Sequence, residues 1–204
     1  MISVIIPAAR SQEVTQFLVN WLRVYSIGDD PDIIVSSPTF AVNGATCVRD
    51  DFMGSAAAIG AALPHVNPKS NYVAWLSDEC LPTSGCLETM AAFLDTHPPP
   101  FIGEFSVGDA GCLAVDKRYA RWGMTTRATI DMIGFFDIGF GSFFGDVDFS
   151  LRCWAAGGAV AICQNSKILH KAREDGVKSG NTERHYAHDQ ALYLSRWPNN
   201  VFWK

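Results

Sequence analysis

Three short apolar runs, each cut off abruptly, limit the folds open to this chain more than any other feature. Residues 2–6 (I-S-V-I-I) stop at Pro7, residues 32–35 stop at Ser36-Ser37-Pro38, and residues 72–76 stop at an acidic turn. Short runs without polar alternation suit strands covered on both faces, as in a parallel sheet. Helical patterns lie between them. Residues 13–25 place Val14, Phe17, Leu18, Trp21, Leu22 and Tyr25 along one face before Gly28. Residues 51–63 are alanine-rich up to Pro64, and residues 87–94 form a further helix ended by His97 and three prolines. Strands alternating with helices predict an α/β domain around a mostly parallel sheet. Such sheets bind ligands beyond the carboxyl ends of their strands, so the loops after Ile6, Val35 and Leu76 are the places to look.

Composition narrows the class. A chain of 204 residues makes one domain, or one with a small appendage, and with 48% apolar residues it can build a sizeable core. A net charge of −5 argues against a large basic face. The six cysteines (Cys47, Cys80, Cys86, Cys112, Cys153, Cys163) show no C-x-x-C and no framework spacing, so they read as reduced thiols in a cytoplasmic protein. Residues 1–9 imitate a signal peptide but lack a basic leader and are interrupted by Pro7. No apolar stretch is long enough to cross a bilayer.

Two acidic segments carry the chemistry. The first, W-L-S-D-E-C-L-P, puts Asp78 and Glu79 directly after a buried strand. Hard divalent cations take one or two protein carboxylates, with phosphates and water completing the shell, and a solvated turn is the plain alternative. The second, residues 133–152, is rich in glycine and phenylalanine, then turns acidic, then helical. Gly139, Gly141 and Gly145 permit tight bends, and Phe135, Phe136, Phe140, Phe143 and Phe144 can anchor the loop or line a pocket. Asp146 stands where the helix should start, as a cap. Asp148 and Arg152 are four apart and can pair, which leaves Asp146 the better candidate for a base.

In order along residues 2–170, these segments resemble the family-2 glycosyltransferases. I-S-V-I-I-P is similar to that family's first strand, and V-A-W-L-S-D-E-C-L-P to its strand ending in a metal-binding D-x-D. I-G-F-F-D…F-F-G-D-V-D-F-S-L-R-C-W-A-A-G-G is similar to its most distinctive segment, and V-A-I-C-Q-N-S-K-I-L-H to the strand that follows. The resemblance implies a Rossmann-like, three-layer GT-A domain over residues 1–170. Its nucleotide-sugar half would be 1–100, its acceptor and catalytic half 101–170, and residues 171–204 would form a C-terminal lid loop and helix packing back. It implies a metal-dependent inverting transfer from a nucleotide sugar, by default a UDP-sugar, to an acceptor hydroxyl. Asp146 would be the general base; Glu79, Asp78 and His170 would hold Mn²⁺ or Mg²⁺; Pro7, Ala8, Arg10, Ser36, Asp78 and Arg127 would contact the donor.

The chain departs from the family pattern at three places. Ser77 replaces the first acid of the D-x-D, Gly145 replaces a glutamate before Asp146, and Ser36-Ser37 stand where an aspartate often reads uracil. A non-catalytic sugar-nucleotide binder is therefore a second reading. The acceptor is open. Residues 117–127 carry Lys117, Arg118, Arg121 and Arg127 with Tyr119 and Trp122, either a solvated basic face or a contact for nucleic acid. The latter would fit sugar transfer to a hydroxymethylated base of phage-type DNA, flipped or single-stranded. Residues 172–183 read as a mobile loop, His185 and His188 as surface residues, and residues 191–203 as a helix with an apolar end folding back. Gly139, Gly141 and Gly145 also imitate a dinucleotide fingerprint, but with the wrong spacing and no strand feeding into it.

Overall fold

The computed structural model describes residues 1–51, 53–108, 112–114, 117–170 and 176–198. The chain runs β1 (Ile2–Pro7), α1 (Gln12–Tyr25), β2 (Asp32–Ser36), β3 (Thr46–Val48), α2 (Ser55–Ala62) and a 3₁₀ turn (Leu63–His65). It continues with β4 (Tyr72–Trp75), β5 (Cys80–Pro82), α3 (Cys86–Asp95), β6 (Phe101–Ser106), β7 (Cys112–Ala114), β8 (Lys117–Tyr119) and β9 (Gly123–Thr126). The last elements are α4 (Arg127–Ile133), α5 (Gly145–Ala155), β10 (Ala159–His170) and α6 (Gly176–Arg196).

Eight strands form one sheet in the order β3-β2-β1-β4-β9-β6-β10-β5, with β7 and β8 as a separate hairpin. The sheet is mostly parallel, as expected, with β9 and β5 as its two antiparallel strands. β3, β2, β1 and β4 run parallel, as do β6 and β10. β9 is inserted antiparallel between β4 and β6, and β5 pairs antiparallel with the end of β10. The reason is connectivity: β9 follows the short β7–β8 hairpin rather than a crossover helix, so it has nothing to carry it back to the starting edge.

Alternate residues of β1 feed two cores. Val4 and Ile6 pack with Leu18, Val19 and Leu22 of α1 and Leu87, Met90 and Leu94 of α3. Ile5 packs on the other face with residues of α2, α4, α5 and α6. This gives three layers, and burying each such Leu or Ile contributes about 1.5–3 kcal/mol. α1 starts at Ser11, whose hydroxyl accepts from the Val14 N–H at 3.2 Å. α2 begins only at Ser55, not at residue 51, because Gly54 adopts φ +90° with its backbone pressed against Gly141. A Cβ there would lie 2.5 Å from the Gly141 carbonyl. Residues 176–183, expected as loop, are the first turns of α6, and residues 171–175 lie outside the described residues, as do 199–204 of the apolar end. Tyr186, Leu192, Tyr193 and Trp197 fasten this helix to the second core, which outweighs the cost of Gly180 within it. Among the described residues no helix is long and apolar enough to cross a membrane. Cys47, Cys80, Cys86, Cys153 and Cys163 are free thiols, four of them buried.

Candidate active site

A cleft opens beyond the carboxyl ends of β1, β2 and β4, where parallel strands present their loops. It has two adjoining cavities. The larger, about 350 Å³, is lined by Arg10, Asp50, Glu79, Arg121 and Arg184 among others. The smaller, about 150 Å³, holds Asp146 with Phe136 and Ser142. Pro7, Ser55, Ser77, Arg121 and Trp122 line both. The two acidic segments, far apart in sequence, thus face one continuous cleft.

The first acidic segment is tied down from both sides. Asp78 is 2% exposed, and its Oδ1 accepts from Arg10 Nη1 at 2.9 Å. Glu79 uses both oxygens: Oε1 is 3.5 Å from Arg10 Nε and Oε2 is 3.4 Å from His170 Nε2. The pairing of His170 with Cys80 in the β10–β5 ladder brings the histidine there, and Trp122 packs on its ring at 4.4 Å between centroids. Among the described residues no three His, Cys, Asp or Glu side chains converge in one metal shell. Of the expected set, Glu79 and His170 face each other across 3.4 Å, while Asp78 Oδ1 is taken up by Arg10.

The second segment delivers Asp146. α5 starts at Gly145, preceded by Phe144 at φ +62°, a left-handed conformation costly for a residue with a Cβ. Asp146 is thus in the first turn rather than at the cap. Its Oδ1 accepts from the Val147 N–H at 2.9 Å. Burial pushes its pKa up to about 6, opposed by the Val147 hydrogen bond and the Arg121 charge. Gly145 is packed too tightly for any side chain: a Cβ would sit 2.6 Å from that of Ala56 on α2. Asp148 is fully buried, with Arg152 Nε at 2.9 Å and Trp197 Nε1 at 3.0 Å. Its role is structural. Phe135, Phe140 and Phe144 are core residues, whereas Phe136 also lines the smaller cavity. The helix α4, not a strand, leads into this loop, so the dinucleotide-fingerprint reading has no support.

Of the other expected donor contacts, Pro7, Ala8 and Arg10 line the larger cavity. Ser36 is buried behind it, with its hydroxyl 3.3 Å from Asp50 Oδ2. Arg127 is a correction. It follows Thr126, which pairs with Tyr72 at the start of β4, so it lies at the opposite end of the sheet from Asp78. There its Nη2 donates to the Asn67 carbonyl at 3.4 Å.

The basic stretch does not form one outward face. Lys117 stacks over Trp154 at 4.7 Å, Arg118 pairs with buried Glu104 at 3.2 Å, and Tyr119 packs against the second core. Arg121 and Trp122 turn into the cleft. Nothing in this arrangement favours a nucleic-acid acceptor. His188 is exposed as expected, but His185 is half-buried against Gly141.

Sequence reasoning missed Asp50, the cleft position of Arg184 and the buried Asp189. Asp50 follows a three-residue strand without a hydrophobic signature, and Asp189 sits in a polar stretch. Only tertiary packing brings either into view.

No family model and no curated relative matches this chain. Solved structures do. A mannosyltransferase from Pyrobaculum calidifontis, in complex with GDP-Man and Mn²⁺, superposes with a TM-score of 0.66 at 14% identity, over 95% of this chain and 64% of its own. TarS of S. aureus gives 0.62 at 14%, over 97% and 43%. Glucosyl-3-phosphoglycerate synthase of Mycobacterium tuberculosis, in complex with Mn²⁺, UDP and its product, gives 0.62 at 15%, over 96% and 79%. The chain spans less than two thirds of the length of the first two. At this level of identity the likeness establishes the fold alone, one of GT-A type.

Proposed function

We propose that this chain is an inverting glycosyltransferase that moves a sugar from a nucleoside-diphosphate donor to an acceptor hydroxyl. The observation that carries the reading is the placement of Asp146, poised near neutral pH, beside a cavity walled by Arg10, Glu79 and Arg121. The GT-A fold and the donors named with its relatives support it. Residues 1–100 would form the donor half, residues 101–170 the acceptor and catalytic half, and α6 the cover. Val177, Asn181 and Arg184 line the cleft from α6.

Asp146 accepts the proton of the acceptor hydroxyl as that oxygen attacks the anomeric carbon. The bond from that carbon to the donor's phosphate oxygen breaks on the far side, its electron pair leaves with the diphosphate, and configuration inverts. General-base assistance of this kind is worth about 10²–10⁴-fold, and a base titrating near 6 suits it. Arg121, shared by both cavities, draws the negative charges of base and leaving group toward one guanidinium.

The donor chemistry at Glu79 and His170 fits a divalent cation. A carboxylate oxygen and an imidazole nitrogen 3.4 Å apart match adjacent positions of a shell that phosphates and water complete. Mn²⁺ or Mg²⁺ held there supplies neutralising charge for a leaving diphosphate. Asp50 faces the end of the larger cavity near Pro38 and Ala8, over β1 and β2, where a nucleobase would lie. It offers a carboxylate for an imide or amidine N–H where Ser36 cannot, and UDP remains the default nucleotide.

The test is turnover of UDP- and GDP-sugars with Mn²⁺, with the product anomer read by NMR. Nucleotide release by the wild type and none by Asp146→Asn supports an enzyme. Release by neither, with donor still bound, marks a non-catalytic binder.

A further inference from the structure

Arg10 reaches the acidic pair from the loop after β1, and its contacts assign it a role of its own. Its Nη1 is 2.9 Å from Asp78 Oδ1, and its Nε is 3.5 Å from Glu79 Oε1. The Asp78 side chain is 1% exposed and that of Arg10 19%. The carboxylate is thus sunk beneath a guanidinium that still faces the larger cavity. Glu79, in contrast, lines the cavity itself and turns its second oxygen to His170. The two neighbouring acids therefore do different work. Ser77, where a third acid would add negative charge, gives its hydroxyl to a contact with Cys80 Sγ at 3.2 Å.

We propose that Arg10 is a catalytic residue that binds and neutralises the departing diphosphate, and that Asp78 is its positioning residue rather than a metal ligand. The proposal rests on the nucleoside-diphosphate reading above and refines it. As the carbon–oxygen bond to the donor phosphate breaks, the electron pair moves onto that phosphate oxygen. Arg10, with Arg121 and Arg184 on the same cavity, meets the resulting charge with fixed guanidinium groups. Asp78 prevents Arg10 from folding back into solvent and sets its plane. Charge from a divalent ion at Glu79 and His170 then supplements a preformed anion site. Donor binding is accordingly only partly metal-dependent.

The experiment is calorimetric titration of UDP and GDP into the whole chain, in excess Mn²⁺ and in EDTA, alongside Mn²⁺ binding measured by electron paramagnetic resonance without nucleotide. Wild-type affinity for the preferred nucleotide should fall by less than about tenfold in EDTA, and Arg10→Gln should lose about tenfold or more there. Arg10→Lys should recover part of the loss, since it keeps the charge without the fork. Asp78→Asn should follow Arg10→Gln in EDTA while keeping Mn²⁺ affinity, and Glu79→Gln should lose Mn²⁺ affinity. Thermal melts establish that each variant is folded. Metal-free binding indifferent to Arg10, or Mn²⁺ affinity lost equally in Asp78→Asn and Glu79→Gln, would overturn the assignment. If wild type binds neither nucleotide under either condition, the nucleotide-sugar reading fails and this proposal falls with it.

Discussion

The carboxylate of Asp189, on α6, accepts the backbone N–H of Gly141 at 2.9 Å. Its second oxygen accepts those of Ser142 and Phe143, also at 2.9 Å. Asp189 is completely buried. A residue 46–48 positions downstream in sequence thus holds the loop that leads into Asp146. Asp189→Ala strands three buried donors and should cost about 3 kcal/mol. For a domain of this size that lowers the melting temperature by roughly 6–12 °C. Asp189→Asn, which keeps one acceptor oxygen, should fall between. Differential scanning calorimetry checks both.

Asp146→Asn should abolish transfer while leaving UDP affinity within about threefold, because the proposed base acts on acceptor rather than nucleotide. Wild-type kcat/KM should fall on the acid side of about pH 6, where Asp146 takes up a proton. Stability runs the other way. With its folded-state pKa raised, Asp146 binds protons more strongly in the native chain, so stability declines as pH rises from the ordinary aspartate value of 3.8 to about 6. Asp146→Asn should therefore melt higher than wild type at pH 7–8, by up to about 2 kcal/mol after solvent screening, and the gap should close near pH 4. Melting curves across that range decide it.

Asp50→Asn should change which nucleotide is preferred more than how tightly nucleotides bind overall. A carboxylate can only accept from a base edge, whereas an amide both donates and accepts. The expected change in the UDP-to-CDP affinity ratio is about tenfold or more, read by competitive titration. An unchanged ratio would place the nucleobase elsewhere.

Gly145→Ala puts a methyl where Ala56 already stands and should cost about 1–3 kcal/mol. Ala56→Gly removes the colliding atom. Combined, the two changes should be less harmful than their sum, a coupling that chemical denaturation of the double-mutant cycle measures.

Much of this layout was legible from residue order. β1, β2 and β4 lie within a residue of the apolar runs that announce them, because fully buried strands show little but apolar side chains. α1 and α3 were equally plain. β9 and the β7–β8 hairpin were not, since G-M-T-T and K-R-Y carry no burial pattern and owe their pairing to neighbours. At the site, residue order singled out Asp146, Glu79 and His170, and the fold brings Asp146 and Glu79 to one cleft with His170 against Glu79. Arg121, not Arg127, lines the cleft, because a run of cations says nothing about which end of a strand each occupies. The cap assignment missed by two residues, since Phe144 takes the cap in a backbone conformation its side chain disfavours. Asp50 and Asp189 gave no signal, since a lone aspartate in a polar stretch resembles solvent-facing sequence until its partners are known.

Gly141 accepts from the Ala56 and Ala57 N–H groups at 2.9 and 3.1 Å, while its own N–H is held by Asp189. The start of α2, the floor under Asp146 and the far helix are thereby bolted at a single residue. That side of the cleft is cross-braced by backbone hydrogen bonds to two helices. Under the proposed transfer, adjustment to acceptors of different bulk falls to the rim at Trp122, which none of these bonds reaches. If an acceptor enters as proposed, its bulk is gauged against this braced wall.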